Sequence, residues 1–414
     1  MKQLTRRTIL AAAPAALAFG GPILTAQPAR AAKHYDPGVT NTEIKIGNTA
    51  PYSGPASNYS TIWKCEAAYY DMINAQGGIN GRKINFISYD DAYSPPKTVE
   101  MTRKLVEEDQ VFVVAGGAGT PTNTAIWKYM NQHKVPQLLV ATGATKWDDP
   151  KDHPWTIGFQ PNYQSEGRIY AAYILQNKPD GKIGVLYQDD DFGKDYLKGL
   201  ADGLGDKADE MIKVKATYET TDPTVDSQIV QFKAAGADVL FNECTPKFAA
   251  QAIKKAAELG WKPLIILPAV SNSVGSVLTP AGLDNSKGII SSNFLKDPTD
   301  PIWKDDPSIK EWSAFMDQYF PEGDKSSIFT VYGYATAQTL VQVLRQCGDN
   351  LTRENVMTQA ANLKHFEIGV LLPGIMIDTG PTDHYPIKQM QLSRFNGDHG
   401  ELFGQPISGE IGTQ

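Results

Sequence analysis

The chain has 414 residues, 41% apolar and 21% charged, with 39 Lys and Arg against 46 Asp and Glu and a formal charge of −7. That composition excludes a wholly disordered or collagen-like chain, and a net-acidic chain offers no electrostatic footprint for nucleic acid. Three cysteines, Cys65, Cys244 and Cys347, are too few and too widely spaced for a disulfide scaffold or a zinc ribbon.

Lys2, Arg6 and Arg7 precede an uncharged Ala-, Leu- and Ile-rich run from Ile9 to Leu24, and Ala29-Arg30-Ala31 places small residues at a cleavage position. Residues 1–31 therefore read as an export signal, removed after about Ala31. Thr5-Arg6-Arg7-Thr8-Ile9-Leu10 is similar to a twin-arginine motif, although paired arginines also occur in general secretory signals, so both routes stay open. Pro14, Gly20, Gly21 and Pro22 interrupt the apolar run, which makes it a poor membrane anchor, and no later segment has 18 uninterrupted apolar residues.

From Glu43 onward short β-rich runs alternate with helical patterns. Strands are expected at 43–47, 83–89, 111–115 and 136–140, with helices at 61–74, 99–108 and 120–133 between them. Thr120-Pro121 reads as a helix cap followed by the first helical residue. The alternation restarts after Pro161: helix 163–176, strand 182–188, helix 193–204, strand 212–218, helix 225–235, strand 238–242, a helix carrying Phe248, Ala249, Ala252, Ile253, Ala256 and Leu259 on one face, and strand 263–267. Two long helices follow, near 308–319 and 328–346, and the chain ends in an antiparallel hairpin turning at Asn396-Gly397. The expected fold class is α/β, with two doubly wound parallel sheets, each binding ligands beyond the carboxyl ends of its strands.

Local chemical motifs are largely missing. There is no P-loop; Gly116, Gly117 and Gly119 follow a strand, but the third glycine of a dinucleotide fingerprint would fall at Thr122. No nucleophile elbow, zinc-protease motif or Cys-x-x-Cys occurs, and the six histidines are scattered. Asp189-Asp190-Asp191 lacks calcium-loop spacing and reads as a turn that caps the next helix. No catalytic residue, metal or cofactor is expected.

The ordered set Ala50-Pro51-Tyr52-Ser53-Gly54-Pro55, Asn74-Ala75-Gln76-Gly77-Gly78-Ile79-Asn80-Gly81, Tyr89-Asp90-Asp91, Val135-Pro136-Gln137, Asp189 to Gly193 and Val331-Tyr332-Gly333-Tyr334-Ala335 resembles the branched-chain amino-acid type solute-binding proteins of ABC transporters, a type I periplasmic binding protein class. The resemblance spans essentially all of the chain after residue 31. It implies a monomeric periplasmic protein of two lobes, 41–160 with 292–377 and 161–291 with 378–414. Three crossovers near Gln160, Ser292 and Ile377 would join the lobes, which close on a small molecule like a hinged trap and deliver it to an inner-membrane ABC permease with its ATPase. It also implies a site. Tyr59, with Tyr52 nearby, matches the aromatic that covers the ligand. Gly119 and Thr120 match the helix start that meets the ligand carboxylate, as backbone amides there suit an anion. Thr142, Gly143, Ala144 and Thr145 match a second set of main-chain and hydroxyl contacts. Phe192 and Phe329 match further aromatics. Where amino-acid binders of this family carry an acid for the ammonium group, this chain has Ala269, in Leu267-Pro268-Ala269-Val270, and a family tyrosine is replaced by Cys244. A buried ammonium without a counter-charge is costly. The expectation is therefore a carboxylate ligand without an α-amino group, an aromatic or aliphatic acid. The alternatives are an amino-acid ligand with Glu243 as ammonium partner, the same trap serving a sensor, and a secreted α/β enzyme whose site is assembled from scattered residues.

Overall fold

Runs of Val and Ile bounded by turn residues bury on both faces only in parallel sheets covered by helices. That is the arrangement in the computed structural model, which describes residues 33–410; the export signal expected at residues 1–31 lies outside them. A short strand β1 (His34–Tyr35) comes first. β2 (Glu43–Ala50), β3 (Lys83–Asp90), β4 (Val113–Ala115), β5 (Gln137–Val140) and β6 (Thr156–Gly158) then form a parallel sheet in the order β3-β2-β4-β5-β6. Its helices include α1 (Thr61–Ala75), α2 (Pro95–Arg103) and α3 (Thr120–Gln132).

After β6 the chain passes through Gln160 into α4 (Tyr163–Asn177), β7 (Ile183–Gln188), α5 (Asp191–Leu204), β8 (Ile212–Tyr218), β9 (Val239–Glu243), β10 (Leu264–Ile266) and β11 (Ile290–Asn293). β12 (Asn350–Leu351) pairs with β1, and β13 (Gln389–Phe395) and β14 (Gly400–Ser408) complete a second sheet in the order β14-β13-β11-β10-β9-β7-β8. Its β7 to β11 are parallel, and the β13–β14 hairpin adds antiparallel to β11. Asn396 N donates to His399 O at the expected turn, and β14 runs on to Ser408. β4 begins at Val113 rather than Val111, whose amide turns back to Leu105.

The helix Ile328–Cys347 crosses α1 closely. A Cβ at Gly333 would lie 2.3 Å from the Ile62 carbonyl, so glycine permits the approach. Tyr334 then packs edge-on against Tyr69 at 5.1 Å. Cys65, Cys244 and Cys347 are buried and unbridged. Among the described residues no helix is long and apolar enough to cross a membrane, and no group of three potential metal ligands gathers.

Candidate functional site

In each sheet the strand order reverses at one point: β2 and β4 lead away on opposite sides in the first sheet, and β7 and β9 do so in the second. The loops leaving such neighbouring strands diverge and open a crevice at their carboxyl ends. Both crevices face one cavity, a concave, mostly apolar recess of the kind that small molecules occupy. Tyr59 reaches it from the segment after β2, Gly119 and Thr120 from after β4, Ala141 from after β5, Phe192 from after β7, Thr245 from after β9, Ala269 from after β10, and Ser292 and Asn293 from the end of β11. Phe329 enters from the helix Ile328–Cys347.

The cavity thus brings together Tyr59, Gly119, Thr120, Phe192, Ala269 and Phe329 of the expected residues. The Tyr59 and Phe329 rings meet at a tilt of 58° with centroids 5.1 Å apart, and Phe192 meets Tyr163 edge-on at 5.2 Å. Thr120 is the first residue of α3 rather than its cap. Gly119 holds the cap position at φ +77°, and a Cβ there would lie 2.3 Å from the Tyr93 ring. The Gly119 amide is engaged by Ala141 O at 3.1 Å, so it does not face a ligand.

Thr142, Gly143, Ala144 and Thr145 stand behind the wall instead of lining it, and the reason is their own hydrogen bonding. Thr142 N donates to Val140 O at 2.8 Å, Ala144 N to Thr142 Oγ1 at 3.3 Å, and Thr145 N to Asp195 Oδ2 on α5 at 2.6 Å. The side of Gly143 is filled by Pro161 O and the Tyr163 ring. The Thr142 hydroxyl pairs with that of Thr120 at 2.6 Å, which makes it a support for Thr120 rather than a lining group. Glu243 is also absent from the lining. It sits at the end of β9, fully buried, with neither carboxyl oxygen hydrogen-bonded.

Several lining residues lie outside the sequence-based set: Trp63 on α1, Tyr93 after β3, Gln160, Tyr163 and Asn272, with Tyr332 one turn beyond Phe329. Tyr93 takes a left-handed backbone conformation (φ 59°), its amide donating to Asp91 Oδ1 at 2.9 Å. The motif Tyr89-Asp90-Asp91 was the available signal, because an Asp side chain that closes such a turn fixes the residue two positions on.

None of the residues lining the cavity carries a charge. The acids lie behind the walls. Glu66 on α1 is fully buried with Oε1 unpartnered, and burial pushes its carboxyl well above the usual range. Burial, reinforced by nearby Glu166, does the same for Glu243. Asp190, raised by burial, caps α5 through the Phe192 and Gly193 amides. Across the cavity the two sheets' loops are joined: Tyr59 Oη donates to Val270 O at 3.0 Å, Asn58 Nδ2 to Ser276 O at 3.2 Å, and Lys146 pairs with Asp191 at 2.6 Å. The cleft is therefore shut, with an apolar, aromatic interior whose polar groups are neutral.

A family model described as "Periplasmic binding protein" matches residues 43–400. The chain is 26% identical over 324 residues to "Leu/Ile/Val-binding protein homolog 2" of Brucella abortus (strain 2308), a match covering 76% of this chain and 81% of that protein. Among solved structures, a branched-chain amino acid ABC transporter protein from Thermus thermophilus with bound valine superposes with a TM-score of 0.80 at 16% identity, over 89% of this chain and 97% of that one. The fatty acid ABC transporter substrate-binding protein of Thermomonospora curvata superposes with a TM-score of 0.75 at 19% identity, over 91% and 95%. Structural likeness at these identities establishes a shared fold.

Proposed function

Because the chain belongs to the periplasmic binding protein family, we propose that it captures a small carboxylic acid without an α-amino group, aromatic or aliphatic, and hands it to an ABC permease. Residues 1–31 direct export. Lobes 41–160 with 292–377 and 161–291 with 378–414 hinge together around the ligand. The ligand's carboxylate meets the start of α3, where the Thr120 amide and hydroxyl are the available donors and the helix end favours an anion. Thr142 orients the Thr120 hydroxyl from behind.

One observation carries the choice of ligand: the cavity lining is uncharged, with Ala269 where an ammonium would need an acid. An ammonium enclosed there would lose its water without a partner, and even a neutral polar group costs roughly 2–7 kcal/mol on such a transfer. The aromatic side chains, Tyr59, Phe192 and Phe329 among them, suit a flat ring or an aliphatic tail equally.

A second reading has support in the names of relatives, which refer to leucine, isoleucine and valine and, for one structure, to bound valine; on that reading Glu243 turns inward and pairs with the ammonium. The name of another structure refers to fatty acids, in keeping with the first reading. Calorimetry on leucine, phenylalanine, 4-methylpentanoate and 3-phenylpropanoate separates the two. The deaminated acids are expected to bind at least roughly tenfold tighter. Tighter binding of the amino acids, lost in Glu243→Gln, overturns the proposal.

A further inference from the structure

Glu166, on α4, lies directly behind the wall that the second sheet contributes to the cavity, and it is fully buried. Its Oε1 accepts from Tyr170 Oη at 2.6 Å, from the Ala269 amide at 2.8 Å and from Ser292 Oγ at 2.9 Å, and its Oε2 accepts from Tyr196 Oη at 2.5 Å. One carboxyl group thus joins α4, α5, the turn after β10 and the end of β11. Two of its partners, Ala269 and Ser292, line the cavity. We propose that Glu166 is a positioning residue of the binding site: its carboxyl group holds the Ala269–Ser292 wall in place and, when ionised, disfavours ligands that carry a negative charge at the end against that wall. The second clause rests on the carboxylate-binding reading above; the first does not.

Geometry distributes the charge. A carboxylate has about four lone-pair directions, and four groups converge on this one: the Ala269 N–H, which cannot reverse its role, and the hydroxyls of Tyr196, Ser292 and Tyr170, the last of which also faces Leu267 O and Ser292 Oγ, each at 2.9 Å. Such donors favour the ionised form while burial opposes it, and the outcome is a Glu166 that titrates above the usual carboxylate range. The titratable groups that face it are Tyr163 and Tyr170 from α4, Tyr196 from α5 and Glu243 from β9. Glu243 has no donor on either oxygen. Two neighbouring buried acids do not both ionise, and only Glu166 has donors, so of the two it is Glu166 that ionises first while Glu243 keeps its proton. Among the described residues no Lys, Arg or His pairs with either. Once Glu166 ionises the wall is negative and without a counter-ion, and a second carboxylate carried to it by a ligand is repelled. The α3 end of the cavity has the opposite polarity, so the site fixes the direction in which a monocarboxylate lies.

Two measurements test this. In the ligand-free protein, the Ala269 amide resonance is expected to follow the titration of a single acid and to exchange slowly. In Glu166→Gln its exchange is expected to quicken by roughly tenfold or more while core amides of β7 keep their protection, and Glu166→Asp restores part of the protection. An Ala269 amide indifferent to both pH and Glu166→Gln overturns the positioning role; the titration in the unmodified protein decides it even if the variant does not fold. For the ligand, calorimetry compares hexanoate with hexanedioate, and 3-phenylpropanoate with 3-(4-carboxyphenyl)propanoate. Each monoacid is expected to bind roughly tenfold tighter or more than its diacid, with the gap narrowed in Glu166→Gln. A diacid bound as tightly as its monoacid overturns the charge restriction. If none of the four acids binds, the carboxylate reading and the restriction built on it fall together, and the Ala269 amide alone decides whether Glu166 positions the wall.

Discussion

Replacing Glu66 by Gln tests whether an acid buried in the wall of the first sheet is neutral. Glu66 lies one turn along α1 from Trp63, whose Nε1 donates to Gly116 O at 2.6 Å. Its Oε1 has no hydrogen-bond partner, its electrostatic neighbours are Tyr52, Tyr70, Tyr332 and Cys65, and burial alone raises its carboxyl well above the usual value of 4.5. The sign follows from linkage. Below about pH 4.5 the acid is neutral in both folded and unfolded chains, and its full contribution to stability is present. As the pH rises the unfolded chain ionises and the folded one does not, so stability falls by about 1.4 kcal/mol per pH unit until the folded pKa is reached. Gln has no proton to lose. Between about pH 5 and pH 7, the stability of Glu66→Gln relative to the parent should therefore rise by about 2.7 kcal/mol, as long as the folded acid stays protonated. That is a large part of the roughly 5–15 kcal/mol by which a typical protein is stable. Urea unfolding of both proteins at several pH values reads it directly. Taking the difference removes other titrations, including that of His384, whose burial holds its pKa down and gives a slope of opposite sign. A stability difference that is flat across this range, or that falls with pH, refutes the account of Glu66 as a neutral buried acid.

Two further outcomes are expected. Tyr59→Phe keeps the ring against Phe329 but removes the hydrogen bond to Val270 O that joins the two sides of the cleft. At roughly 0.5–1.5 kcal/mol for that bond, the closed-to-open ratio of ligand-free protein should fall roughly twofold to tenfold, seen as a wider interlobe distance distribution by energy transfer between dyes on the two lobes. An unchanged distribution would show that the bond does not bias closure. Gly119→Ala places a Cβ 2.3 Å from the Tyr93 ring at a backbone φ of +77°. A lowered melting temperature, with Tyr93 displaced in a crystal structure of the variant, is expected, and a variant as stable as the parent with Tyr93 in place would contradict the packing described.

The sequence was most informative where chain direction alone decides position. Strand–helix alternation placed both sheets, and the rule that ligands lie beyond the carboxyl ends of strands placed the cleft; the residues themselves came from the family resemblance, and Tyr59, Gly119, Thr120, Phe192 and Ala269 meet in one cavity although they are spread over 211 positions. It was least informative where orientation depends on what a neighbouring backbone group is already doing. Thr142 and Thr145 have the hydroxyls of ligand-binding residues and follow the right strand, yet their amides are engaged by Val140 and Asp195, and only Ala141 of that turn reaches the cavity. Tyr93 escaped notice because its place depends on a left-handed backbone turn and on the missing side chain of Gly119, 26 residues later. Glu166 had no signal at all. In the sequence it is one acid in the first turn of an amphipathic helix, where acids are common for reasons of helix polarity. Only the convergence of Tyr170, Tyr196, Ala269 and Ser292 upon it distinguishes it from a surface residue.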